Sequence, residues 1–226
     1  MSFRVYFASN WKDSVNDPRI FPAQFGFGFT ESGAPRLPQA VLPDALRILD
    51  DAILPKNVPE EAAFAHLARL CETGCLLDFE RAPSQAHAAI VRRLAARLRG
   101  VPLFAAPERF LSLCPSLLPL VTPPAQCSNW RNFAAETGKR YPKGWLLELI
   151  PCKYSVQMPF PAQSSGILQD ALCHYRQSGR TIRYYDTPET LSQKLALVQK
   201  NGCCAAIGLL QELQPFTELC ETVFRP

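Results

Sequence analysis

The chain has 226 residues, of which 47% are hydrophobic and 19% are charged, and this composition predicts a globular protein, most simply one domain over residues 1–226. Its net charge of +4 is spread along the chain without a basic stripe, which argues against a nucleic-acid-binding protein. No apolar stretch approaches the ~20 residues that cross a membrane, and the first residues predict a strand rather than a secretory signal. We therefore expect a cytoplasmic protein that has no membrane segment.

The sequence has nine cysteines and three histidines, and their spacing argues against a structural zinc site. The cysteines show no repeated spacing, and His66, His87 and His174 all fall in stretches with helical periodicity. We therefore expect reduced thiols, packed or surface histidines, no metal and no cofactor. The sequence leaves the oligomeric state open.

Short apolar runs alternate with amphipathic stretches along the chain, a pattern that predicts βα units and a mostly parallel sheet. The predicted strands are Phe3–Ala8, Phe25–Thr30, Leu46–Asp51, Cys75–Phe79, Val101–Ala106, Leu118–Thr122, Trp145–Ile150, Thr181–Tyr185 and Cys204–Leu210. The predicted helices run from Pro59 to Gly74, Ser84 to Gly100, Asn129 to Lys139, Ile167 to Arg176, Thr187 to Gly202 and Glu218 to Phe224. Residues 11–45 and 107–145 are the least regular parts of the pattern.

This pattern predicts an α/β protein with a single (β/α)₈ TIM-type barrel, small and partly irregular, because the units repeat every ~20–35 residues. A barrel has eight strand positions, so one of the nine candidates must lie outside it or be a wrong assignment. An open doubly wound sheet is the main alternative. Such sheets normally carry a glycine-rich first turn, and none follows Phe3–Ala8.

Acidic residues follow six of the apolar runs, and in a parallel barrel they would collect at the strands' C-terminal ends, where barrel enzymes place their chemistry. The candidate substrate-binding residues at this rim are Glu108, Asp186, Gln211 and Glu212. In the structural alternative, Asp186 caps the following helix, while Glu80 and Glu108 pair with the arginines that follow them. An oxygen-only Mg²⁺ site is a third interpretation, but neither an Asp-x-Asp pair nor a histidine partner supports it.

The segment Phe7-Ala8-Ser9-Asn10-Trp11-Lys12 resembles the first strand and lysine of triosephosphate isomerase. That enzyme needs a histidine at a strand end and glycine-rich phosphate loops late in the barrel, and this sequence offers neither. We reject that function. Asn10 and Trp11 remain candidates for a pocket wall because they follow the first strand, and a polar turn is the alternative.

The run Leu76-Leu77-Asp78-Phe79-Glu80 at the predicted fourth strand resembles the second half of the signature of family 18 glycoside hydrolases, the chitinase and endo-N-acetylglucosaminidase family. That family's strand carries Asp-x-x-Asp-x-Asp-x-Glu, whose last Asp and Glu align with Asp78 and Glu80. Period-two spacing places both on one side of the strand. The resemblance implies a hydrolase for a glycan that contains N-acetylglucosamine, with Glu80 as general acid. Asp78 would then orient the substrate's acetamido group, which acts as internal nucleophile.

A second segment, Pro151-Cys152-Lys153-Tyr154, is similar to the family's later Met-x-Tyr segment and adds Tyr154 as a substrate-binding candidate. The chain departs from the signature at Thr73 and Leu76, where the two earlier aspartates belong, and its last strand lacks the family's tryptophan. These departures favour the alternative function, a non-catalytic barrel that binds a carbohydrate, a small ligand or a protein partner at the acidic rim.

Overall fold

The computed structural model describes residues 3–10, 20–124 and 129–217. Its strands are β1 (Arg4–Ser9), β2 (Phe21–Phe29), β3 (Pro35–Arg36), β4 (Leu46–Asp50), β5 (Cys75–Asp78), β6 (Phe104–Pro107), β7 (Leu118–Val121), β8 (Trp145–Glu148), β9 (Lys153–Leu168), β10 (Cys173–Tyr185) and β11 (Cys203–Leu209). Its α-helices are α1 (Glu61–Leu70), α2 (Gln85–Arg97), α3 (Trp130–Arg140), α4 (Pro188–Lys200) and α5 (Leu210–Leu213). Short 3₁₀ helices cover Glu108–Leu113 and Gln214–Phe216.

Eight parallel strands form a closed barrel with helices between them, which confirms the predicted fold class. The strand order is β1-β11-β8-β7-β6-β5-β4-β2, and β1 also pairs with β2. The two-residue strand β3 adds to β2 in the antiparallel direction. Strand β5, which carries the acidic run, is the fourth barrel strand in chain order.

The strand candidate that lies outside the barrel is Thr181–Tyr185, the end of β10, which pairs with β9 in an antiparallel hairpin. The predicted helix from Ile167 to Arg176 is therefore wrong, because these residues form the end of β9, a turn and the start of β10. Leu172 in the turn has φ 46°, which a continuous right-handed helix does not allow. His174, predicted on a helix, lies on β10 and stacks on Tyr185. The predicted helix from Glu218 to Phe224 falls outside the described residues.

The chain comprises two compact units, and the first covers Tyr6–Val121. Here α1 and α2 bury apolar side chains against the outer face of the strands, and that face includes Cys75, Leu77 and Phe79 of the β5 segment. Side chains alternate along a strand, so Leu76 and Asp78 lie on the opposite face of β5. The predicted helix that begins at Ser84 is confirmed as α2, and the Ser84 hydroxyl caps it by accepting a hydrogen bond from the His87 amide.

The second unit covers Met1–Val5 and Thr122–Pro226 and contains α3, α4, β8, β11 and the hairpin. The predicted start of α4 is also confirmed: Thr187 and Thr190 form a capping box, and Pro188 occupies the first turn. Trp145 of β8 is fully buried, and its indole N–H donates to the Asn201 carbonyl oxygen over 3.1 Å. Among the helices that the structure describes, none is long and apolar enough to cross a membrane.

Candidate active site

The two carboxyl groups of the family 18-like run lie at the C-terminal end of β5. Asp78 is the last residue of the strand, is partly buried, and stands in register with Asp50 of β4. Glu80 lies after the strand, belongs to no helix or strand, and is exposed. Since the C-terminal ends of the strands are where barrel enzymes act, this is the position that the proposed chemistry requires.

The backbone at Glu80 is held in place by Asp51, a buried residue that follows β4. The amides of Glu80 and Arg81 each donate to one oxygen of the Asp51 carboxylate over 2.9 Å. The Nε2 atom of His87 lies 3.0 Å from the same carboxylate. Burial alone would raise the pKa of Asp51, but the two amides and His87 outweigh it and hold the pKa below its ordinary value. Asp51 therefore joins the loops after β4 and β5 and fixes the path of the chain at Glu80.

Asp50, the neighbour of Asp78 across the strands, is engaged by other groups. Its carboxylate pairs with the Arg36 guanidinium and accepts the Ala52 amide over 3.0 Å. A side chain at Gly28 would collide with the Arg36 guanidinium, so the small residue there makes room for the ion pair. The side of β5 that bears Asp78 therefore faces a carboxylate that is already neutralised.

The structure gives roles to the two residues that replace the earlier aspartates of the signature. The Thr73 hydroxyl donates to the Ala45 carbonyl oxygen over 2.6 Å, which ties the loop before β5 to the start of β4. Leu76 is 3% exposed and lies on the same side of β5 as Asp78. An apolar side chain therefore stands next to Asp78 where the family has a carboxyl group.

Other residues predicted at the rim of the first unit are also exposed. Glu108 begins the 3₁₀ helix after β6, and Asn10 follows β1. The predicted pair between Glu80 and Arg81 is not formed, because the Arg81 guanidinium donates to the Ala52 carbonyl oxygen over 2.6 Å. Trp11 falls outside the described residues.

In the second unit, Asp186 is buried within a network. Its carboxylate accepts hydrogen bonds from the Lys194 ammonium over 2.7 and 2.9 Å, from the Thr190 hydroxyl over 3.1 Å and from the Cys152 amide over 2.7 Å. The cap of α4 is Thr187, so Asp186 supports the first turn of this helix without being its cap residue. With its carboxylate occupied in this way, Asp186 has a structural role.

The remaining site candidates of the second unit are less buried than Asp186. They are Tyr154, Gln211 and Glu212. Gln211 and Glu212 are exposed on the short helix α5, directly after β11. Tyr154 opens β9, stacks on Tyr184 with ring centroids 4.7 Å apart, and lines a cavity of about 380 Å³. The other lining residues of this cavity include Trp130, Ile150, Cys152, Cys173 and Lys194.

The cavity contains a thiol pair that the sequence did not indicate, because the hairpin separates its two cysteines in the chain. A hydrogen bond to Cys173, together with burial, raises the pKa of the Cys152 thiol. The same bond lowers the pKa of Cys173. Both cysteines are free thiols. Within the described residues, no group of three or more His, Cys, Asp or Glu side chains is placed to bind a metal ion.

Solved structures that match this fold include chitinases, a chitinase-like agglutinin and a spore cortex-lytic enzyme. A chitinase-like agglutinin from Robinia pseudoacacia matches with a TM-score of 0.62 and 12% identity, covering 97% of this chain and 98% of that chain. A mutant GH18 chitinase from Cycas revoluta in complex with (GlcNAc)4 matches with a TM-score of 0.62 and 10% identity, covering 98% and 99%. The Bacillus cereus spore cortex-lytic enzyme SleL matches with a TM-score of 0.65 and 10% identity, covering 99% and 75%.

The fold is that of family 18 glycoside hydrolases. At 10–12% identity this likeness concerns the fold alone. No protein-family model and no curated protein matches the sequence. In this fold Asp78 is the last residue of the fourth barrel strand, and Glu80 comes shortly after that strand.

Proposed function

We propose that the protein is a glycoside hydrolase that acts on a glycan containing N-acetylglucosamine. The observation that carries this proposal is the position of Asp78 and Glu80 at the end of the fourth strand of a family 18-like barrel. The exposed Glu80 side chain is open to a substrate, while two backbone amides bonded to Asp51 keep its segment in place. Both features suit a proton donor, which must be accessible and correctly placed.

In the proposed reaction, Glu80 protonates the leaving glycosidic oxygen. Asp78 orients the acetamido group of the sugar, whose carbonyl oxygen attacks the anomeric carbon, and water then opens the cyclic intermediate. Glu80 accepts the proton of that water and is thereby returned to its acid form. Glu108 and Asn10, exposed after β6 and β1 in the first unit, are the further proposed substrate contacts.

The test is the hydrolysis of a fluorogenic N,N′-diacetylchitobioside by the intact protein. Glu80→Gln keeps the size of the side chain and removes its proton, so turnover should fall by about 10²–10⁴-fold while binding of chitotriose is retained. Asp78→Asn should also slow turnover. The matched control is Glu72→Gln, an exposed glutamate that precedes the same strand and should leave the rate unchanged. Equal rates for Glu80→Gln and Glu72→Gln would overturn the assignment.

A second candidate function is carbohydrate binding without catalysis. Leu76 and Thr73 favour it because they remove the two carboxyl groups that accompany the Asp and Glu in the family's signature. The similarity of the fold to a chitinase-like agglutinin is in keeping with it. Chitotriose binding measured by calorimetry, with no product formed on prolonged incubation, would favour this function over the hydrolase.

A further inference from the structure

Next to the Glu80 backbone, whose amide donates to Asp51, three side chains of the first unit form a continuous hydrogen-bonded chain. The Ser84 hydroxyl oxygen lies 2.8 Å from Nδ1 of His87. On the other side of the ring, Nε2 of His87 lies 3.0 Å from the Asp51 carboxylate. Serine, histidine and aspartate therefore occur in the order in which a nucleophile, its base and the residue that orients the base are arranged.

The proton positions in this chain follow from the surroundings of Asp51. Its carboxylate accepts the amides of Glu80 and Arg81, which stabilise the ionised form. An ionised carboxylate only accepts hydrogen bonds, so Nε2 of His87 carries the hydrogen of that contact. In the neutral ring Nδ1 is then an acceptor, and the Ser84 hydroxyl donates to it. His87 is thus held in the tautomer that can take a proton from Ser84.

The hydrogen-bonded chain is buried at the Asp51 carboxylate and exposed at the Ser84 hydroxyl. Asp51 is 3% exposed and His87 is fully buried, whereas Ser84 is exposed. The rings of Phe79 and Phe110 pack against the imidazole with centroids 5.1 and 5.3 Å away. These contacts fix the orientation of the ring, and the Ser84 hydroxyl beside Nδ1 remains within reach of a substrate and of water.

Ser84 also stands at the N-terminus of α2, where backbone amides face outward. The amide of His87 is used by the Ser84 hydroxyl over 3.4 Å. The amides of Gln85 and Ala86 belong to the first turn, which has no partners inside the helix. Amides of this kind can stabilise the oxyanion that forms when a hydroxyl attacks a carbonyl group. Both Asp51 and Ser84 follow barrel strands at their C-terminal ends, the face on which barrel enzymes act.

We propose that Ser84, His87 and Asp51 form an acyl-transfer site that hydrolyses short activated esters, separate from the glycosidase site. Ser84 acts as nucleophile, His87 as general base and acid, and Asp51 orients His87. The exposed position of Ser84 suits a short acyl group such as acetyl, which needs no enclosed apolar pocket to bind.

In the first step the Ser84 oxygen forms a bond to the ester carbonyl carbon and its proton passes to Nδ1 of His87. The carbon–oxygen bond to the leaving alcohol breaks, and that alcohol takes the proton from His87. Water then attacks the acetyl-serine, passing one proton to His87. The bond between the acyl carbon and Ser84 breaks, the serine oxygen recovers the proton, and acetate is released. One ester and one water give one alcohol and one acid.

The test uses the intact protein with p-nitrophenyl acetate and with a fluorophosphonate that labels activated serines. We expect steady release of p-nitrophenolate, and a fluorophosphonate adduct located on Ser84 by peptide mass spectrometry. Ser84→Asn should abolish both, although asparagine caps a helix as well as serine does. His87→Gln should lower the labelling rate of Ser84 by about 10²–10⁴-fold, the usual effect of losing a general base.

The matched control is Ser112→Ala, which removes another exposed serine and should leave the ester hydrolysis and the labelling unchanged. Ser84→Asn keeps the test decisive even where His87→Gln fails to fold, because the substitution preserves the cap. The proposal is overturned if Ser84→Asn retains the wild-type rate of ester hydrolysis. It is also overturned if Ser84 in the folded wild-type protein is labelled no faster than Ser112.

Discussion

Asp51 in the first unit and Asp186 in the second are both buried acids that follow strands, but their charges are stabilised by different groups. Asp51 is 3% exposed and meets two backbone amides and an imidazole. Asp186 is 8% exposed and meets the ammonium group of Lys194, which is itself 2% exposed. A side-chain substitution that keeps the backbone N–H leaves the two amide donors of Asp51 in place. A substitution of Lys194, in contrast, removes the charged donor of Asp186.

The acids near the strand ends fall into two groups, those that are buried and bonded to other groups of the protein and those that are exposed. Asp51 and Asp186 are satisfied by partners from the protein, and both join neighbouring segments of chain. Glu80, at the end of a strand like them, presents an exposed carboxylate for which the described residues provide no ion pair. The buried, paired acids therefore hold or orient other groups of the protein, and the exposed acid of the family 18-like run is the one that can meet a substrate directly.

The largest effect is expected from Lys194→Met, which leaves the buried Asp186 carboxylate without its counter-ion. Removal of one partner of a buried pair costs about 3–5 kcal/mol. The substitution also removes the ammonium group from its position 4.9 Å from the centroid of the Trp130 ring. Urea unfolding measures the loss, with the exposed Lys200→Met on the same helix as control. Similar urea midpoints for Lys194→Met and Lys200→Met would contradict the conclusion that Asp186 depends on the Lys194 charge.

A smaller loss is expected when Asp51 loses its side-chain partner. His87→Gln leaves both backbone amides on the Asp51 carboxylate, so the cost should be about 1–3 kcal/mol, that of a broken buried hydrogen bond. The exposed His66→Gln on α1 is the control in the same urea titration. A loss for His87→Gln as large as that for Lys194→Met would remove the distinction between the two acids.

The pH dependence of stability tests the amide environment directly. Because the folded protein lowers the pKa of Asp51 below its ordinary value of 3.8, the carboxylate contributes stability above that value. This contribution should decline as the pH falls through the lowered pKa. Asp51→Asn should flatten that part of the stability profile, measured by urea unfolding at a series of acidic pH values. If Asp51→Asn left the dependence of the unfolding free energy on pH unchanged, other acids would control the acidic part of that dependence.

The sequence predicted the barrel and the place of the acidic run, but not the partners of the acids. Capping residues and periodicity located α2 and α4, because both signals are local. The helix expected from Ile167 to Arg176 was wrong because this segment crosses the turn of the hairpin, where two strand ends and a turn together place apolar residues at helical spacing. The contact between Asp51 and His87 joins residues 36 positions apart, which no local pattern reveals.

The smallest effect on stability is expected at Glu80 itself. The Asp51 carboxylate bonds the backbone amide of Glu80, and this contact remains when the side chain is changed. Because the side chain is exposed, Glu80→Gln should change the free energy of unfolding by no more than about 0.5 kcal/mol, as is usual for surface substitutions. Urea unfolding of Glu80→Gln and of the control Glu72→Gln should give overlapping curves.

A loss above 1 kcal/mol, on the order of one buried hydrogen bond, would instead place Glu80 with Asp51 and Asp186 among the structural acids. Unchanged stability combined with lost turnover is the result that separates a catalytic acid from a structural one, since a residue that only supports the fold cannot give it.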